Sequence, residues 1–391
     1  MGYISLRMKR FCGFITGFVF FLSGMVKLMD PVGAGLVMDE YFSFLHISFL
    51  SFSAKAFGVF FALTETVIGA ALITGVWRKV TAVCAIVLQA FFTLLTLLLV
   101  IFNPEMDCGC FGEAIHLTHL QTFIKNIILL ALLLAYYIPH DQLGETLKKK
   151  YVSFGLVTVS VIAFTIYSLI YIPLIDFTAY RPGAELEAGA QVNADDMYES
   201  IFTYEKDGIQ ETFTLGNLPD STWSFVSVDT RLKKGYEESL TGLSFYAPQT
   251  GEYQDKLAIE GKVMVISVYN PDMKKDKWTQ IEAFATRASK AGFRVLLLCA
   301  SQEGIPASLQ EQAYISDYKT LISLNRSNGG ITYFYNGQLI RKWASINTPD
   351  ASQLQAIAET GPTEISIEQD NKGSLVFQGF LLYVFAVMLL M

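Results

Sequence analysis

Charged residues are scarce in this 391-residue chain, at 17% of the sequence, whereas hydrophobic residues make up 52%. Such a composition exceeds the norm for soluble proteins and excludes a purely soluble chain. An excess of basic residues is also missing, because the net charge of -7 arises mainly from residues 176–374. The sequence therefore carries no signature of a nucleic-acid partner or of a basic lipid-binding patch.

Cysteine is equally sparse, and the five residues are dispersed over positions 12, 84, 108, 110 and 299. An odd and dispersed set argues against a small domain built on disulfides. Only Cys108 and Cys110 are near neighbours, in the hexapeptide Asp-Cys-Gly-Cys-Phe-Gly at residues 107–112. A disulfide between them would close a small, strained and easily reduced ring, and Gly109 has the backbone freedom that this ring requires. The two cysteines are therefore a candidate redox pair, and a structural brace or two free thiols are the alternatives.

A metal site is a further interpretation of the same loop. Cys108, Cys110, His116 and His119 are four nitrogen or sulfur ligands close together in the sequence. Their spacing matches no standard zinc pattern, and histidines beside the start of a membrane helix are ordinary interfacial residues. We therefore predict no bound metal and retain His116 and His119 only as weak metal candidates.

Long hydrophobic runs occupy most of the first 175 residues and the end of the chain. Each run is near the ~20 residues that a helix needs to cross a bilayer. The first run is predicted to be a retained span, because it is longer than a signal peptide and lacks a small-x-small cleavage site. Residues 31–53 are aromatic and amphipathic, so we expect them on the membrane face. We predict six membrane spans, at residues 11–29, 54–76, 80–102, 121–138, 152–175 and 375–391.

The loops between the predicted spans differ in charge. Lysine and arginine occur in residues 1–10, 77–79 and 139–150, whereas the alternating loops contain Asp30, Asp39, Glu40, Glu105, Asp107 and Glu113. Short loops that carry lysine and arginine stay on the cytoplasmic side. We therefore predict a protein of the bacterial inner membrane with a cytoplasmic N-terminus. The cysteine loop and residues 176–374 then share the periplasmic side, which is an oxidising compartment.

Few ionisable residues lie inside the predicted spans, and each costs at least about 2.5 kcal/mol there unless it faces the bundle interior with a partner. Glu65 lies near the middle of the second span, and Lys27 and Lys125 lie about one turn inside the first and fourth. We predict an intramembrane polar cluster of these three residues and Asn126, which Gln89 can join by hydrogen bonding. The alternatives are lysines that extend to the interface and a protonated Glu65 carboxyl in the core.

From about residue 255 the sequence alternates strands and helices. Residues 262–269 and 293–299 are continuous apolar runs, which are typical of buried parallel strands. We predict the remaining elements as helices at 278–291, 317–325 and 350–359 and a hairpin turned by Asn336 and Gly337. This order of elements resembles the thioredoxin fold.

The thioredoxin-like segment lacks the dithiol of that fold. An active member carries Cys-x-x-Cys after the first central strand, but residues 270–278 contain no cysteine. Residues 328–330, Asn-Gly-Gly, stand where the fold usually places a cis-proline before the hairpin. Cys299 ends a buried strand and is predicted to be a small core residue. The domain is therefore expected to bind partners without exchanging disulfides by the usual chemistry.

Three motifs in the membrane part resemble a known family. They are residues 21–31, residues 64–69, and residues 107–113 followed by 117–118 and 122–126. Over residues 8–140 the chain is similar to the DoxX/MauE-like membrane proteins, and the Cys-Gly-Cys-Phe-Gly block is the most specific part. The resemblance implies a four-span module linked to thiol or quinone redox chemistry in the envelope, with a quinone as the candidate cofactor. The complete layout is similar to an uncharacterised DoxX-like branch.

The predicted fold is therefore a membrane α-helical bundle with an α/β thioredoxin-like extracytoplasmic domain that lacks Cys-x-x-Cys. The bundle combines a DoxX-like four-span module with two further spans. The predicted parts are the four-span module at 1–140, a basic cytoplasmic linker and fifth span at 141–175, the extracytoplasmic domain at 176–374 and the sixth span at 375–391.

Two functions are consistent with this layout. The favoured one is a non-enzymatic subunit or accessory factor of an envelope assembly, which contacts the lipid bilayer and binds envelope or membrane proteins through the redox-silent domain. The alternative is a membrane thiol-disulfide component in which Cys108 and Cys110 pass electrons to a quinone near Glu65 or to a partner. The sequence leaves open whether the protein is an enzyme.

Overall fold

In the computed structural model the described residues are 6–104, 106–138, 146–186, 198–206, 209–214, 219, 222–232 and 242–390. For residues 198–206, 209–214, 224–232 and 366–371 the description covers the backbone alone. Glu105 and part of the basic loop, residues 139–145, lie outside the described residues.

Six helices in the described part of the chain are long and apolar enough to cross a membrane, as predicted. Five of them lie in the first 170 residues, and the sixth ends the chain. Between the first two spans, Asp30 caps a further helix by accepting a hydrogen bond from the Gly33 amide at 2.9 Å. The helices of this half are α1 Leu6–Met29, α2 Pro31–Phe44, α3 Ala54–Thr74, α4 Arg78–Phe102, α5 His119–Tyr137 and α6 Lys148–Ile170.

Helices α1 and α3 pack tightly because small residues meet at their contact. A Cβ atom added to Gly24 of α1 would collide with the Thr66 hydroxyl of α3, and one added to Gly69 of α3 would meet the backbone of α1 at Phe21. Small residues at such contacts let helix backbones approach closely in a membrane. Lys27 follows Gly24 by about one turn, and Glu65 precedes Thr66, so this contact brings the two charged residues together.

The segment that is expected on the membrane face includes a helix that packs on the bundle. Helix α2 lies against the start of α3, where Gly35 contacts Lys55 and Gly58 contacts Ala34. A short 3-10 helix, Ser48–Ser53, then leads into α3. The side chains of α2 therefore face other helices, and several of them line the site described below.

The C-terminal half contains an α/β domain with a six-stranded mixed sheet in the order β10-β9-β6-β7-β8-β5. Strands β6, β7 and β8 are parallel to one another, while β5, β9 and β10 each run antiparallel to a neighbour. The predicted parallel pair is present as β6 and β7. The strands are β5 Phe245–Tyr246, β6 Lys262–Val268, β7 Arg294–Cys299, β8 Ala313–Ser316, β9 Gly330–Tyr335 and β10 Gln338–Trp343. Strands β1 to β4 are given below.

Hydrophobic side chains cover both faces of this sheet. Along β9, Tyr333 belongs to the cluster on one face and Phe334 to the cluster on the other, as the alternation of a strand requires. The first face is covered by α7 Lys275–Lys290 and α10 Ala351–Glu359, and the second by α9 Tyr318–Leu324, with the short helix α8 Ala307–Gln310 before β8. The hairpin turn forms as predicted, because Asn336 and Gly337 both have positive φ, at 47° and 81°.

Three further strands form a second, antiparallel sheet in the order β3-β2-β4. They are β2 Tyr198–Lys206, β3 Ile209–Thr214 and β4 Ser224–Leu232. The chain ends in helix α11, Pro362–Leu390, which begins before the predicted start of the sixth span at residue 375. Its end is held against α6, because Lys150 donates to the Met388 carbonyl at 2.8 Å and Ser153 to the Val387 carbonyl at 2.6 Å.

Candidate functional site

The cysteine loop is fixed at both cysteines by hydroxyl groups from the helices around it. The Tyr41 hydroxyl of α2 donates to the Cys108 carbonyl at 3.0 Å, and the Ser23 hydroxyl of α1 donates to the Cys110 carbonyl at 2.6 Å. Burial raises the pKa of Tyr41, so its hydroxyl stays protonated and available as a donor. After Cys110 the chain continues as the short strand β1, Cys110–Glu113.

Gly109 is required between the two cysteines for two reasons. Its φ is 60°, which is a left-handed conformation that costs a side chain energy. A Cβ atom at this position would also collide with the Val37 side chain of α2. The loop can therefore lie this close to α2 only with glycine between the cysteines.

Both thiols of the pair are free in the structure, and their surroundings differ. Cys108 is buried, whereas Cys110 is half-buried. Burial raises the pKa of the Cys108 thiol, while the neighbouring Thr122 and Lys125 side chains oppose that shift. Reaction of Cys108 as a thiolate therefore depends on local help, and Cys110 is the more accessible sulfur.

A cavity of about 380 Å³ lies between helices α1 to α5 and the cysteine loop. Its volume falls in the range of small-molecule binding sites, which are typically about 300–1,000 Å³. Aromatic side chains form much of the wall, and Phe61 and Phe91 stack with ring centroids 5.8 Å apart. Polar groups line one part of it, namely Ser23, Lys27, Tyr41, Glu65, Gln89, Thr96, Cys108, Cys110, Lys125 and Asn126.

The predicted cluster of intramembrane polar residues separates into two groups on the cavity wall. Lys27 and Glu65 form an ion pair, with Nζ 2.6 Å from Oε2 and side chains only 16% and 6% exposed. The Lys27 ammonium also lies 5.8 Å from the centre of the Phe92 ring. This pair joins α1 to α3 beside the helix face that carries Ser23, which is one turn before Lys27.

Asn126 and Lys125 belong to the second group and do not contact Glu65. The Asn126 amide donates to Thr96 Oγ1 at 3.2 Å, and the Gln89 amide donates to the Asn126 carbonyl at 3.0 Å, so these bonds join α4 to α5. The Lys125 ammonium lies 4.8 Å from the centre of the Phe111 ring in the cysteine loop. Lys125 therefore supplies positive charge to the loop, and Lys27 to the carboxylate.

The two histidines do not join the cysteines. The ring nitrogens of His119 lie 3.3 Å from the Leu99 carbonyl and 2.9 Å from the Met106 carbonyl. His116 is exposed and pairs with Asp107, with Nδ1 3.2 Å from Oδ2. Among the described residues no group of three or more histidine, cysteine or acidic side chains is arranged to hold a metal ion.

A buried charge network attaches the α/β domain to the cysteine loop. Arg326, whose side chain is 4% exposed, bonds Asp30 through Nε at 2.9 Å and Glu113 through Nη2 at 2.6 Å. Next to it, Lys342 bonds Asp176 at 2.6 Å. Glu113 ends strand β1 and Asp30 caps α2, so one arginine of the α/β domain holds both segments that border the cavity mouth. We call these five residues the junction network.

The segment after β6, where the thioredoxin fold usually carries its two cysteines, begins near this junction. The Tyr269 hydroxyl, at the end of β6, donates to the Arg326 carbonyl at 3.2 Å, and the Asn270 amide donates to Asn328 at 3.0 Å. Cys299 is fully buried in the sheet core, where burial raises its pKa to about 12. Within the described residues of this domain, Cys299 is therefore a packed core residue, and the thiols at the cavity belong to the membrane half.

Several residues of the site were not singled out by sequence reasoning. Ser23 has a recognisable signal, because it lies four residues before Lys27 on the same helix face. Tyr41 lies in the segment expected on the membrane face, and Asp30 and Glu113 were noted only as acidic loop residues. Arg326 has no local signal, since its partners are 213 and 296 positions away in the sequence.

Six apolar helices, a cavity among the helices of the membrane half and an attached mixed-sheet domain define a multi-span membrane protein. Residues 5–139 match the family model described as methylamine utilisation protein MauE, and residues 198–235 match a domain of unknown function (DUF8463). The first match covers about a third of the chain and includes every helix that lines the cavity. The chain is thus a MauE-like multi-span membrane protein. No curated protein and no solved structure matches it.

Proposed function

We propose that this protein is a membrane thiol-disulfide redox component in which Cys108 and Cys110 cycle between dithiol and disulfide. The observation that carries the proposal is the cavity of about 380 Å³, because both cysteines lie on its wall together with the Lys27–Glu65 pair. Sequence reasoning favours a non-enzymatic role, since one dithiol without a relay is a thin basis for an enzyme. The cavity beside the two cysteines is large enough to bind an electron acceptor, which can take the part of the relay.

The residues around the cavity fit a quinone as that acceptor. Stacked phenylalanine rings at Phe61 and Phe91 offer flat apolar walls for a ring, and Lys27 and Lys125 offer donors to its oxygens. A quinone supplies a sink for the two electrons and two protons that two thiols release when they form a disulfide. The chain's own contribution is to hold the thiols at the cavity by Ser23 and Tyr41.

Thiol trapping in a defined membrane tests this proposal. The full chain, with Cys12, Cys84 and Cys299 replaced by alanine, is placed in lipid nanodiscs, reduced and mixed with decylubiquinone. A mass-tagged maleimide then counts the remaining thiols. We expect the loss of two tags per chain and the formation of one quinol per chain. Cys110→Ser and Cys108→Ser are expected to abolish quinol formation, because neither retains a pair.

Two results would contradict the proposal. One is a wild-type pair that stays fully reduced with excess decylubiquinone, although diamide oxidises it. The other is unchanged quinol formation in both single-serine variants, since the electrons would then come from elsewhere. Thermal unfolding in nanodiscs shows whether the serine variants retain the fold.

A second function is supported by the junction network and by the absence of cysteine from residues 270–278. We infer that the α/β domain is a thioredoxin-like, redox-silent platform that binds envelope proteins and presents them above the cysteine loop. In that case the protein serves as a non-enzymatic subunit or accessory factor. Co-purification after mild detergent extraction tests this role, and a chain that always purifies alone would count against it.

We also propose a cellular location and a membrane orientation for the protein. Alternating basic and acidic loops support the bacterial inner membrane, a cytoplasmic N-terminus and a periplasmic α/β domain in a DoxX-like branch. Contacts between Arg326 and Glu113 support a common side for the domain and the cysteine loop. Membrane-impermeant labelling of a single cysteine introduced at Ser301, an exposed domain position, tests the orientation in intact cells.

A further inference from the structure

Lys27 and Glu65 form an ion pair on the cavity wall, and the chemistry above uses only Lys27, as a hydrogen-bond donor. Glu65 is the one carboxylate among the described residues that line the cavity, and Lys27 is one of two lysines there. Two charges placed against apolar walls are costly to bury, and an apolar pair would often be as stable. Lys27 and Glu65 line the same cavity as both thiols, and this position suggests that the pair takes part in the chemistry.

Resting on the proposed function, we propose that Lys27 and Glu65 form a proton relay between the thiols and the electron acceptor in the cavity. Disulfide formation requires each thiol to lose a proton, and the acceptor oxygens must gain two. Most of the cavity wall is aromatic or aliphatic and cannot carry protons, so few side chains are available for this exchange. Lys27 and Glu65 are in contact there and can both accept and donate a proton.

The geometry of the pair allows it to reset after each transfer. Glu65, as a carboxylate, accepts a proton from a thiol, and Lys27, as an ammonium, donates a proton to an acceptor oxygen. The proton on Glu65 then passes to the neutral Lys27 amine across the 2.6 Å contact, which restores both charges. One cycle carries one proton, so two cycles balance a reaction that moves two protons and two electrons from the dithiol to the acceptor.

Other titratable groups face the same space and must be considered in any pH profile. They are Tyr41 from α2, Cys108 and Cys110 from the loop and Lys125 from α5, while α4 contributes the neutral Gln89. Tyr41 has a raised pKa through burial and remains a hydroxyl. Lys125 lies over Phe111 and carries no carboxylate partner among the described contacts, so it cannot reset in the manner of Lys27.

The decisive variant removes both charges together. Lys27→Met with Glu65→Met leaves no unpaired ion behind, so the bundle is expected to fold. In nanodiscs we expect decylubiquinone to oxidise this variant at least about 100-fold more slowly than wild type, because general acid–base catalysis contributes about 10²–10⁴-fold. The remaining rate should follow bulk pH, with buffer dependence that wild type lacks. Diamide is water-soluble and can exchange protons with water at the half-buried Cys110, so its oxidation of the pair should be unchanged.

A conservative variant and an infrared experiment distinguish a proton relay from an ion pair with a purely structural role. Glu65→Asp retains a carboxylate and is expected to retain most of the rate and its pH profile. In the quinone-free chain, infrared difference spectra between dithiol and disulfide should contain a carboxyl band that Glu65→Gln removes. If Glu65→Gln leaves these spectra unchanged, Glu65 does not exchange protons with the pair and the relay is wrong.

The two proposals fail in different ways. If wild type is not oxidised by decylubiquinone at all, the proposed function fails. If wild type is oxidised, but the double methionine variant reacts at the same rate and with the same pH profile, only the relay fails. If the double variant reacts slowly even at saturating decylubiquinone, weaker binding without the Lys27 donor is not the cause and the relay is supported.

Discussion

The membrane half and the α/β half use their interiors differently. Helices α1 to α5 and the cysteine loop line a cavity of about 380 Å³, whereas the pocket beside α7 and the pocket at the junction have volumes of about 20 Å³ each. The thiols follow the same division, because Cys108 and Cys110 line the large cavity and Cys299 is packed into the sheet. This difference agrees with the proposed redox function, which places the chemistry in the membrane half.

The largest effect is expected at the contact between these halves. Arg326→Gln leaves Asp30 and Glu113 without their cation, and loss of one partner from a buried ion pair costs about 3–5 kcal/mol. We expect the α/β domain to separate from the cysteine loop while each half remains folded. Limited proteolysis in nanodiscs should accelerate at the junction, and maleimide labelling of Cys110 should become faster.

The matched control for this prediction is Lys319→Gln. Lys319 reaches Glu40 at 3.6 Å, but its side chain is 77% exposed, so the pair contributes less than about 1 kcal/mol. Proteolysis and labelling should stay at the wild-type level. Equal effects of the two substitutions would mean that the junction network does not hold the halves together.

The next effect concerns the loop itself. Gly109→Ala places a side chain at a left-handed φ, which costs about 1–2 kcal/mol, and forces it against Val37, which costs typically about 1–3 kcal/mol more. We expect a lower unfolding temperature and faster labelling of Cys108, since the loop must move away from α2. Adding Val37→Ala should restore part of the loss by removing the collision.

Gly112→Ala provides the comparison for that variant. Gly112 also has a positive φ, of 55°, but nothing lies within 4 Å of an added Cβ atom. Only the backbone cost should appear, in thermal unfolding of the nanodisc-embedded chain. A Gly112→Ala variant as damaged as Gly109→Ala would show that contact with α2 does not fix the cysteines.

A smaller effect is expected from the charge beside the loop. Lys125 stabilises the Cys108 thiolate, so Lys125→Met should raise the pKa of Cys108 further above its ordinary value. In a Cys110→Ser background the alkylation profile of Cys108 should move to higher pH, with a rate reduced up to about tenfold at a fixed pH. Lys149→Met, at the start of α6, should leave the profile in place; an unshifted profile in Lys125→Met would remove the proposed electrostatic help.

The cysteine of the α/β half, Cys299, is expected to be the least reactive thiol in this comparison. With a pKa of about 12, Cys299 is a thiolate in only about one molecule in 10⁴ at pH 8. Its alkylation in the folded chain should be at least about 1,000-fold slower than that of glutathione and should become ordinary in guanidinium. Rapid labelling of folded Cys299, read by peptide mass spectrometry, would break the contrast between the halves.

Sequence patterns predicted the elements of both halves because these depend on local chemistry. A bilayer demands long apolar runs, so six spanning helices are visible in composition alone. The β9–β10 hairpin is visible because Asn336 and Gly337 accept positive φ. Strand β8 is missing from the prediction, since Ala313–Ser316 is too short to show a pattern.

The site was only half visible, because it depends on contacts between distant segments. The cysteines and the charged residues Lys27, Glu65 and Lys125 stand out as unusual in an apolar chain. The cavity does not, since it is space left between five helices and depends on how closely α1 and α3 pack. The contribution of helix α2 to the cavity wall was also not predicted, because its aromatic residues suit a lipid interface and a cavity wall equally well.

The arginine at the junction has a consequence for how the protein is made. Its carboxylate partners are synthesised 213 and 296 residues earlier. At about 5–20 residues per second, the ribosome needs roughly 10 to 60 s to reach Arg326 after them. For that interval the inserted helices present Asp30 and Glu113 without their cation, and the α/β domain does not yet contact the cysteine loop. A newborn chain can therefore be oxidised or bound by other factors before its own domain covers the loop.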